Sequence, residues 1–215
     1  MHLVNVPARL RQLGIIPVVS IEQVESAIPL AEALLTGGLP CAEITFRTAA
    51  AEPAIRAISK TFPEILVGAG TVLNEEQAER AVHAGAKFIV SPGFSPAVVN
   101  YCLGRNIHVF PGVCTPTDII LALEAGLHIL KFFPAEAFGG LKTLKALSPP
   151  FPNVEFIPTG GISAANLQEY LRFKKVLACG GSWMVKSELI TEGKFDEIKS
   201  LTEEAVAIRK KAQAE

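Results

Sequence analysis

The sequence predicts an α/β fold, a single (β/α)₈ TIM barrel, and three observations lead to this prediction. Short apolar runs rich in β-branched residues recur at intervals of roughly 20–26 residues. The segments between them have helical periodicity, and several end at a glycine before the next apolar run. No linker and no change in composition divides the 215 residues. Eight uninterrupted alternations favour a closed barrel over a doubly wound sheet, so residues 1–215 are expected to form one domain.

The predicted elements follow one another in a regular order. We expect strands at residues 15–20, 41–47, 65–71, 88–92, 108–113, 128–133, 154–159 and 176–180. The clearest helical segments are 23–35, 49–60, 75–84, 116–124, 164–172 and the C-terminal segment 195–211. In such barrels the chemistry lies at the carboxyl ends of the strands, and phosphate is commonly held after strands seven and eight.

Composition excludes several classes of protein. Apolar residues make up 49% of the chain and charged residues 19%, which argues against disorder. A net charge of −1 offers no basic footprint for nucleic acid. The four cysteines form no CxxC pair, which is typical of buried thiols in a reducing compartment. Residues 1–13 have no secretory apolar region and no run is long enough to span a membrane, so we expect a cytoplasmic protein.

The second strand places charged residues on its inner face. Because side chains alternate along a strand, Glu43, Thr45 and Arg47 are expected to share the face that points into the barrel. Buried charges are costly unless they are paired or used. A purely structural Glu43–Arg47 pair is the alternative.

The sixth strand directs a lysine inward in the same way. Lys131 shares its face with Ile129 and Phe133, so its amine lies between apolar neighbours. Loss of solvation disfavours the ammonium, as a nucleophilic or Schiff-base lysine requires. The alternative is a lysine that extends to the barrel mouth or merely pairs with Glu43. That two separate strands direct Glu43 and Lys131 into one interior favours the functional interpretation.

The ends of four other strands carry candidate binding groups. Thr71 offers a hydroxyl after a glycine-rich run, and Pro92 is placed to line a pocket, although both positions also suit simple turns. Two Gly-Gly pairs follow the last two strands and predict an anion cradle of exposed N–H groups, with turn formation as the alternative. The pairs are Gly160-Gly161 and Gly180-Gly181, and Ser182 follows the second pair; the binding candidates among them are Gly160, Gly161, Gly181 and Ser182.

Metal and serine-nucleophile chemistry find little support. No cluster of His, Asp and Glu with ligand spacing can be assembled from the sequence, and no GxSxG motif is present. We therefore expect no metal and no cofactor.

Six motifs resemble the 2-keto-3-deoxy-6-phosphogluconate (KDPG) aldolase family, which is also described as 4-hydroxy-2-oxoglutarate (KHG) aldolase. The likeness spans nearly the whole chain in the same order, and KFFPAE followed by PTGGI is highly specific to the family. The motifs are EITFRT at 43–48, GAGTVL at 68–73, SPG at 91–93, KFFPAE at 131–136, PTGGI at 158–162 and GGSW at 180–183.

The resemblance implies a class I aldolase barrel, usually a homotrimer, and a role for each matching residue. Lys131 would form the Schiff base and Glu43 would be the general acid and base. The remaining roles are pyruvate carboxylate binding by Arg47 and Thr71, packing against pyruvate by Pro92 and Phe133, selection of hydroxyl stereochemistry by Thr159, and phosphate binding by Gly160, Gly161, Gly181 and Ser182.

The implied partners are pyruvate and a phosphorylated 2-keto acid, and neither nucleic acid nor membrane. The implied reaction is cleavage of KDPG to pyruvate and glyceraldehyde 3-phosphate, with KHG cleavage as a further possibility. The alternatives are cleavage of 2-keto-3-deoxy-6-phosphogalactonate, or a phosphosugar-binding barrel or isomerase that forms no imine. Phe138 departs from the small polar residue expected in the loop after strand six, which leaves ligand contacts by that loop open.

Overall fold

Strands and helices alternate along the chain in the computed structural model, which describes residues 5–214. The strands are β1 Ile15–Val19, β2 Cys41–Thr45, β3 Leu66–Gly70, β4 Phe88–Val90, β5 His108–Phe110, β6 Gly112–Val113, β7 Ile129–Phe132, β8 Glu155–Pro158 and β9 Cys179–Gly181. The helices are α1 Val6–Leu13, α2 Ala27–Thr36, α3 Ala51–Thr61, α4 Glu75–Ala84, α5 Pro96–Leu103, α6 Pro116–Glu124, α7 Gly140–Leu147, α8 Leu167–Leu171, α9 Ser187–Thr191 and α10 Phe195–Ala214.

The strands form two parallel sheets. Within the described residues, one sheet has six strands in the order β5-β4-β3-β2-β1-β9, and the other has three in the order β6-β7-β8. Parallel bridges between Phe156 and Val176 and between Thr159 and Gly180 connect β8 to the segment that contains β9. The predicted α/β class with parallel strands is confirmed.

Three elements differ from their predicted form. The run at 108–113 is split into β5 and β6 at Pro111, because proline has no N–H to donate to the strand ladder. The helix predicted at 23–35 begins with a short 3₁₀ turn, Val24–Ser26, before α2. The helix predicted at 164–172 is reduced to α8, because the Ser163 N–H donates to Asn166 Oδ1 in a turn that precedes it.

Side-chain caps start the helices soon after the strands end. Asn74 Oδ1 accepts from the Gln77 N–H at 2.9 Å at the start of α4, and Ser95 and Thr115 cap α5 and α6 in the same way. These short connections keep the loops after the strands on the same side of the sheets, where parallel strands bring their carboxyl ends together.

The core lies between the sheets and the helices that cover them. All five residues of β2 and of β3 are buried, as are the core-facing positions of most helices. In the described part of the chain, no helix is long and apolar enough to cross a bilayer.

Candidate active site

A buried lysine and a buried glutamate from different sheets face each other. Lys131 Nζ on β7 lies 3.7 Å from Glu43 Oε1 on β2. Their side chains are only 5% and 2% exposed, so water screens the pair weakly. The alternation of side chains on the two strands predicted that both residues point inward, and the structure brings them together.

Glycine at position 70 leaves room for the carboxylate. A Cβ atom at Gly70 would lie 2.1 Å from Glu43 Oε1, so any other residue there would displace the glutamate. Among the described residues, Glu43 Oε1 is a buried acceptor without a hydrogen-bond partner. Such an oxygen is costly to bury unless it serves a ligand or a reaction.

An aromatic ring also lies close to the lysine amine. Lys131 Nζ lies 4.8 Å from the centre of the Phe133 ring. Burial, together with the charge of Glu43, raises the pKa of the nearby Cys41 thiol, and burial alone raises the pKa of Cys179. Both thiols therefore stay protonated at neutral pH and are poor nucleophiles.

A cavity of about 330 Å³ opens beside this pair at the carboxyl ends of the strands. Phe133 and Thr45 connect the two features, because Phe133 contacts the lysine and Thr45 follows Glu43 on the same face of β2. The cavity is lined by Val18, Val19, Ser20, Thr45, Arg47, Phe133, Thr159, Gly160, Gly161, Ile162, Gly180, Gly181, Ser182, Val185, Lys186, Ser187 and Glu188.

Seven of the residues predicted from sequence line this cavity. They supply a guanidinium, an aromatic ring, a hydroxyl and two glycine loops, namely Arg47, Phe133, Thr159, Gly160, Gly161, Gly181 and Ser182. Gly160 and Gly161 have φ values of +98° and +81°, a backbone region that favours glycine. A Cβ atom at Gly180 would lie 2.3 Å from the Thr159 hydroxyl oxygen, so the glycine at this position leaves room for the hydroxyl.

The position of Arg47 tests the alternative of a purely structural Glu43–Arg47 pair. Its side chain is exposed at the cavity, and within residues 5–214 the ion-pair partner of Glu43 is Lys131, not Arg47. The alternative of a buried Glu43–Arg47 pair is therefore wrong, because Arg47 lies in a turn beyond the end of β2 and its side chain is exposed.

Thr71 and Pro92 do not line the cavity. They follow β3 and β4 on the same rim. The Pro92 carbonyl packs against Gly112, because a Cβ atom at Gly112 would lie only 2.1 Å from the Pro92 carbonyl oxygen. Thr71 has a φ of +55°, which is a strained conformation for a β-branched residue. Strain of this kind is commonly kept at functional positions.

The strain at Thr71 leads to a test that separates stability from function. We expect Thr71→Gly to leave the free energy of unfolding unchanged or to raise it by up to about 1 kcal/mol, because glycine accepts positive φ. If Thr71 holds the pyruvate carboxylate, as the resemblance implies, kcat/KM for aldol cleavage should fall by about tenfold, since one hydrogen bond to that carboxylate is lost. Chemical denaturation and steady-state kinetics measure both. A destabilised variant with normal kcat/KM would contradict the assignment.

Several lining residues were not predicted from the sequence. Val18, Val19 and Ser20 come from the end of β1, and Lys186, Ser187 and Glu188 come from the segment after β9. Their positions after strand ends were the available signal, but no residue type distinguished them. Among the described residues, no group of three or more His, Cys, Asp and Glu side chains could hold a metal ion.

The chain matches a known family over most of its length. A family model described as "Aldolase: KDPG and KHG aldolase" matches residues 6–201. The chain belongs to this family. The resemblance seen in the motifs is thereby confirmed, and the matched segment contains every predicted site residue.

Relatives within the family match over most of their length. The 2-dehydro-3-deoxy-phosphogluconate aldolase of Treponema pallidum is 50% identical over 93% of this chain and 95% of its own. The KHG/KDPG aldolase of Escherichia coli K12 is 45% identical over 89% and 90%.

A solved structure of the family is similar throughout. The KDPG aldolase of Legionella pneumophila, with pyruvate captured as a covalent carbinolamine intermediate, superimposes with a TM-score of 0.88. It is 40% identical over 92% of this chain and 96% of that one.

Proposed function

We propose that this chain is a class I aldolase that cleaves KDPG to pyruvate and glyceraldehyde 3-phosphate. The observation that carries the proposal is the buried Lys131–Glu43 pair beside a cavity that contains a guanidinium and two glycine loops. The names of the Treponema pallidum and Escherichia coli relatives support the same activity. The covalent pyruvate intermediate of the Legionella pneumophila structure supports the same chemistry.

Lys131 starts the proposed reaction as a nucleophile. Its amine attacks the C2 ketone of the substrate, and loss of water gives an iminium that accepts electrons from the C3–C4 bond. Burial next to Phe133 shields the amine from bulk water.

Glu43 moves the protons. It removes the proton of the C4 hydroxyl, directly or through a water, and the C3–C4 bond breaks to release the aldehyde. The electron pair of that bond remains in an enamine, which is then protonated at C3. Hydrolysis of the resulting iminium releases pyruvate and restores the Lys131 amine.

Residues of the cavity and of the rim around it hold the two ends of the substrate. Arg47, which lines the cavity, suits bidentate binding of the pyruvate carboxylate, and the hydroxyl of Thr71, on the rim, adds a donor. Pro92 and Phe133 pack against the pyruvate carbons, and Thr159 selects the stereochemistry of the hydroxyl. The phosphate is bound by Gly160, Gly161, Gly181 and Ser182.

A substrate panel tests the activity. With KDPG we expect pyruvate and glyceraldehyde 3-phosphate in equal amounts, measured by coupled assays of both products. KHG and the phosphogalactonate analogue are run beside it, because relatives carry those names. Isomerised substrate, or binding without release of pyruvate, would instead support the non-aldolase alternatives.

Metal independence follows from this chemistry, because the iminium supplies the electron sink that a metal would otherwise provide. We expect EDTA to change kcat/KM by less than about twofold, which is small beside the ~10²–10⁴-fold that a catalytic group contributes. The check is the cleavage rate before and after dialysis against EDTA. Full loss of activity that zinc or magnesium restores would show a metal-dependent mechanism.

We also propose that the two sheets close into one eight-stranded barrel that forms a single domain. The bridges between β8 and β9, the continuity of β5 and β6 through Pro111, and the Lys131–Glu43 pair all join the two sheets. The backbone N–H of Lys131 also donates to the Pro111 carbonyl at 2.9 Å, next to the break between β5 and β6.

Assembly and location are proposed on separate grounds. Exposed apolar residues such as Leu73, Ile120, Leu121 and Phe138 offer surface for the contacts of a homotrimer. A designed cage of fused symmetric oligomeric domains contains a 27% identical segment, which supports an oligomer. Buried free thiols support a cytoplasmic location. Sedimentation equilibrium tests the trimer, and a monomer mass would contradict it.

A further inference from the structure

The loop that carries Gly160 and Gly161 is held from behind by a side chain that does not line the cavity. Glu136, in the loop after β7, packs directly on it: a Cβ on Gly161 would lie 2.5 Å from Glu136 Cγ. The two loops are also joined along their backbones, because the Glu136 N–H donates to the Gly160 carbonyl at 3.1 Å.

A buried tyrosine fixes the glutamate in this position. The hydroxyl of Tyr170, on α8, donates to Glu136 Oε1. Burial, and then this hydrogen bond, raise the pKa of Tyr170 above its ordinary value, so the hydroxyl remains a donor. Gly140 leaves the space that the bond needs, since a Cβ there would lie 2.6 Å from Glu136 Oε1 and 2.9 Å from the Tyr170 oxygen.

The far end of the Gly160-Gly161 loop is held by Asn166. Asn166 Nδ2 donates to the Gly161 carbonyl at 3.0 Å, while its Oδ1 accepts from the Ser163 N–H at 2.9 Å. The Gly161 end is thus tied directly to the segment around α8, the Gly160 end is tied to it through Glu136 and Tyr170, and both carbonyls accept a hydrogen bond. These hydrogen bonds hold the backbone of the loop where Gly160 and Gly161 line the cavity.

We infer that Glu136 and Tyr170 are positioning residues that set the affinity for the phosphate end of the substrate. This inference rests on the proposed function for the identity of the substrate. The physical basis is pre-organisation: a glycine loop with positive φ at two successive residues is otherwise flexible, and ordering it on binding would weaken phosphate affinity. Neither residue needs to touch the substrate.

The test is Tyr170→Phe, which removes one hydroxyl from a buried side chain and keeps its ring. We expect KM for KDPG to rise by about 5- to 20-fold with kcat changed less than twofold, which is close to the net contribution of one hydrogen bond. The dissociation constant of inorganic phosphate, measured by titration calorimetry, should rise by a similar factor. KM for KHG, which has no phosphate, and pyruvate trapping on Lys131 should not change.

Matched variants separate positioning from general stability. Tyr101→Phe changes the other tyrosine of the chain, which is also buried but lies on α5, and should leave every constant unchanged. Glu136→Ala should reproduce Tyr170→Phe, whereas Glu136→Gln, which still accepts the hydrogen bond, should recover most of the phosphate affinity.

Three results would overturn the inference. They are an unchanged phosphate dissociation constant in Tyr170→Phe, an equal loss for KDPG and KHG, and absence of phosphate binding to the wild-type protein. Failure of the wild-type protein to cleave any 2-keto acid would instead refute the proposed function. Because phosphate titration does not depend on cleavage, it tests the positioning role even in that case.

Discussion

Replacing Lys131 by arginine is expected to abolish aldol cleavage, with kcat/KM reduced by more than about 10⁴-fold. Arginine keeps the positive charge next to Glu43 but cannot form an imine, so the electron sink for C3–C4 cleavage is lost. The measurement is the rate of pyruvate release from KDPG by the purified variant.

A second variant shows what the charge itself contributes. Lys131→Met should be equally inactive, and its free energy of unfolding should fall by up to about 3–5 kcal/mol because Glu43 loses its counter-ion in a buried place. Thermal and chemical unfolding of both variants provide the folding control. If Lys131→Arg retained turnover within about tenfold of wild type, the lysine would serve only as one half of an ion pair.

Replacing Glu43 by glutamine is expected to reduce kcat/KM by about 10²–10⁴-fold. Glutamine keeps the shape and the ability to form hydrogen bonds but removes the proposed base for the C4 hydroxyl proton. Lys131 should still form some imine with pyruvate, more slowly, because loss of water also uses proton transfer. Steady-state cleavage and pyruvate trapping, measured on the same preparation, distinguish the two steps.

The structural interpretation of Glu43 makes the opposite prediction. If the carboxylate only neutralises Lys131, Glu43→Gln should lower the melting temperature while each folded molecule turns over normally. A melting curve must therefore accompany the kinetics, since Glu43 is buried in the space left by Gly70. Turnover within about threefold of wild type in the folded variant would remove Glu43 from the proposed mechanism.

The alternation of side chains along two strands was sufficient to predict the centre of the site. Glu43 and Lys131 could be assigned to the interior because a strand has a period of two and a charge on its inner face has few structural uses. The glycine loops could be placed at the cavity because the carboxyl ends of parallel strands share one rim.

Other features of the site could not be predicted, because they depend on loop conformations and long-range contacts that sequence periodicity does not encode. The positive φ of Thr71 and the exposure of Arg47 arise where the chain leaves a strand, and periodicity ends there. The bond between Tyr170 and Glu136 joins residues 34 positions apart, and nothing in their local sequence indicates it. The sequence showed a proline without an N–H at position 111, but whether that proline would divide the strand depends on the strands beside it.

The most direct test of the central claim is the mass of the protein after incubation with pyruvate and borohydride. Reduction of an imine should add one pyruvyl group per chain, and peptide mapping should place it on Lys131, as the buried position of that amine beside Phe133 and Glu43 requires. Lys131→Arg should gain no mass under the same conditions. An unmodified wild-type protein, or a label on another lysine, would contradict the Schiff-base mechanism.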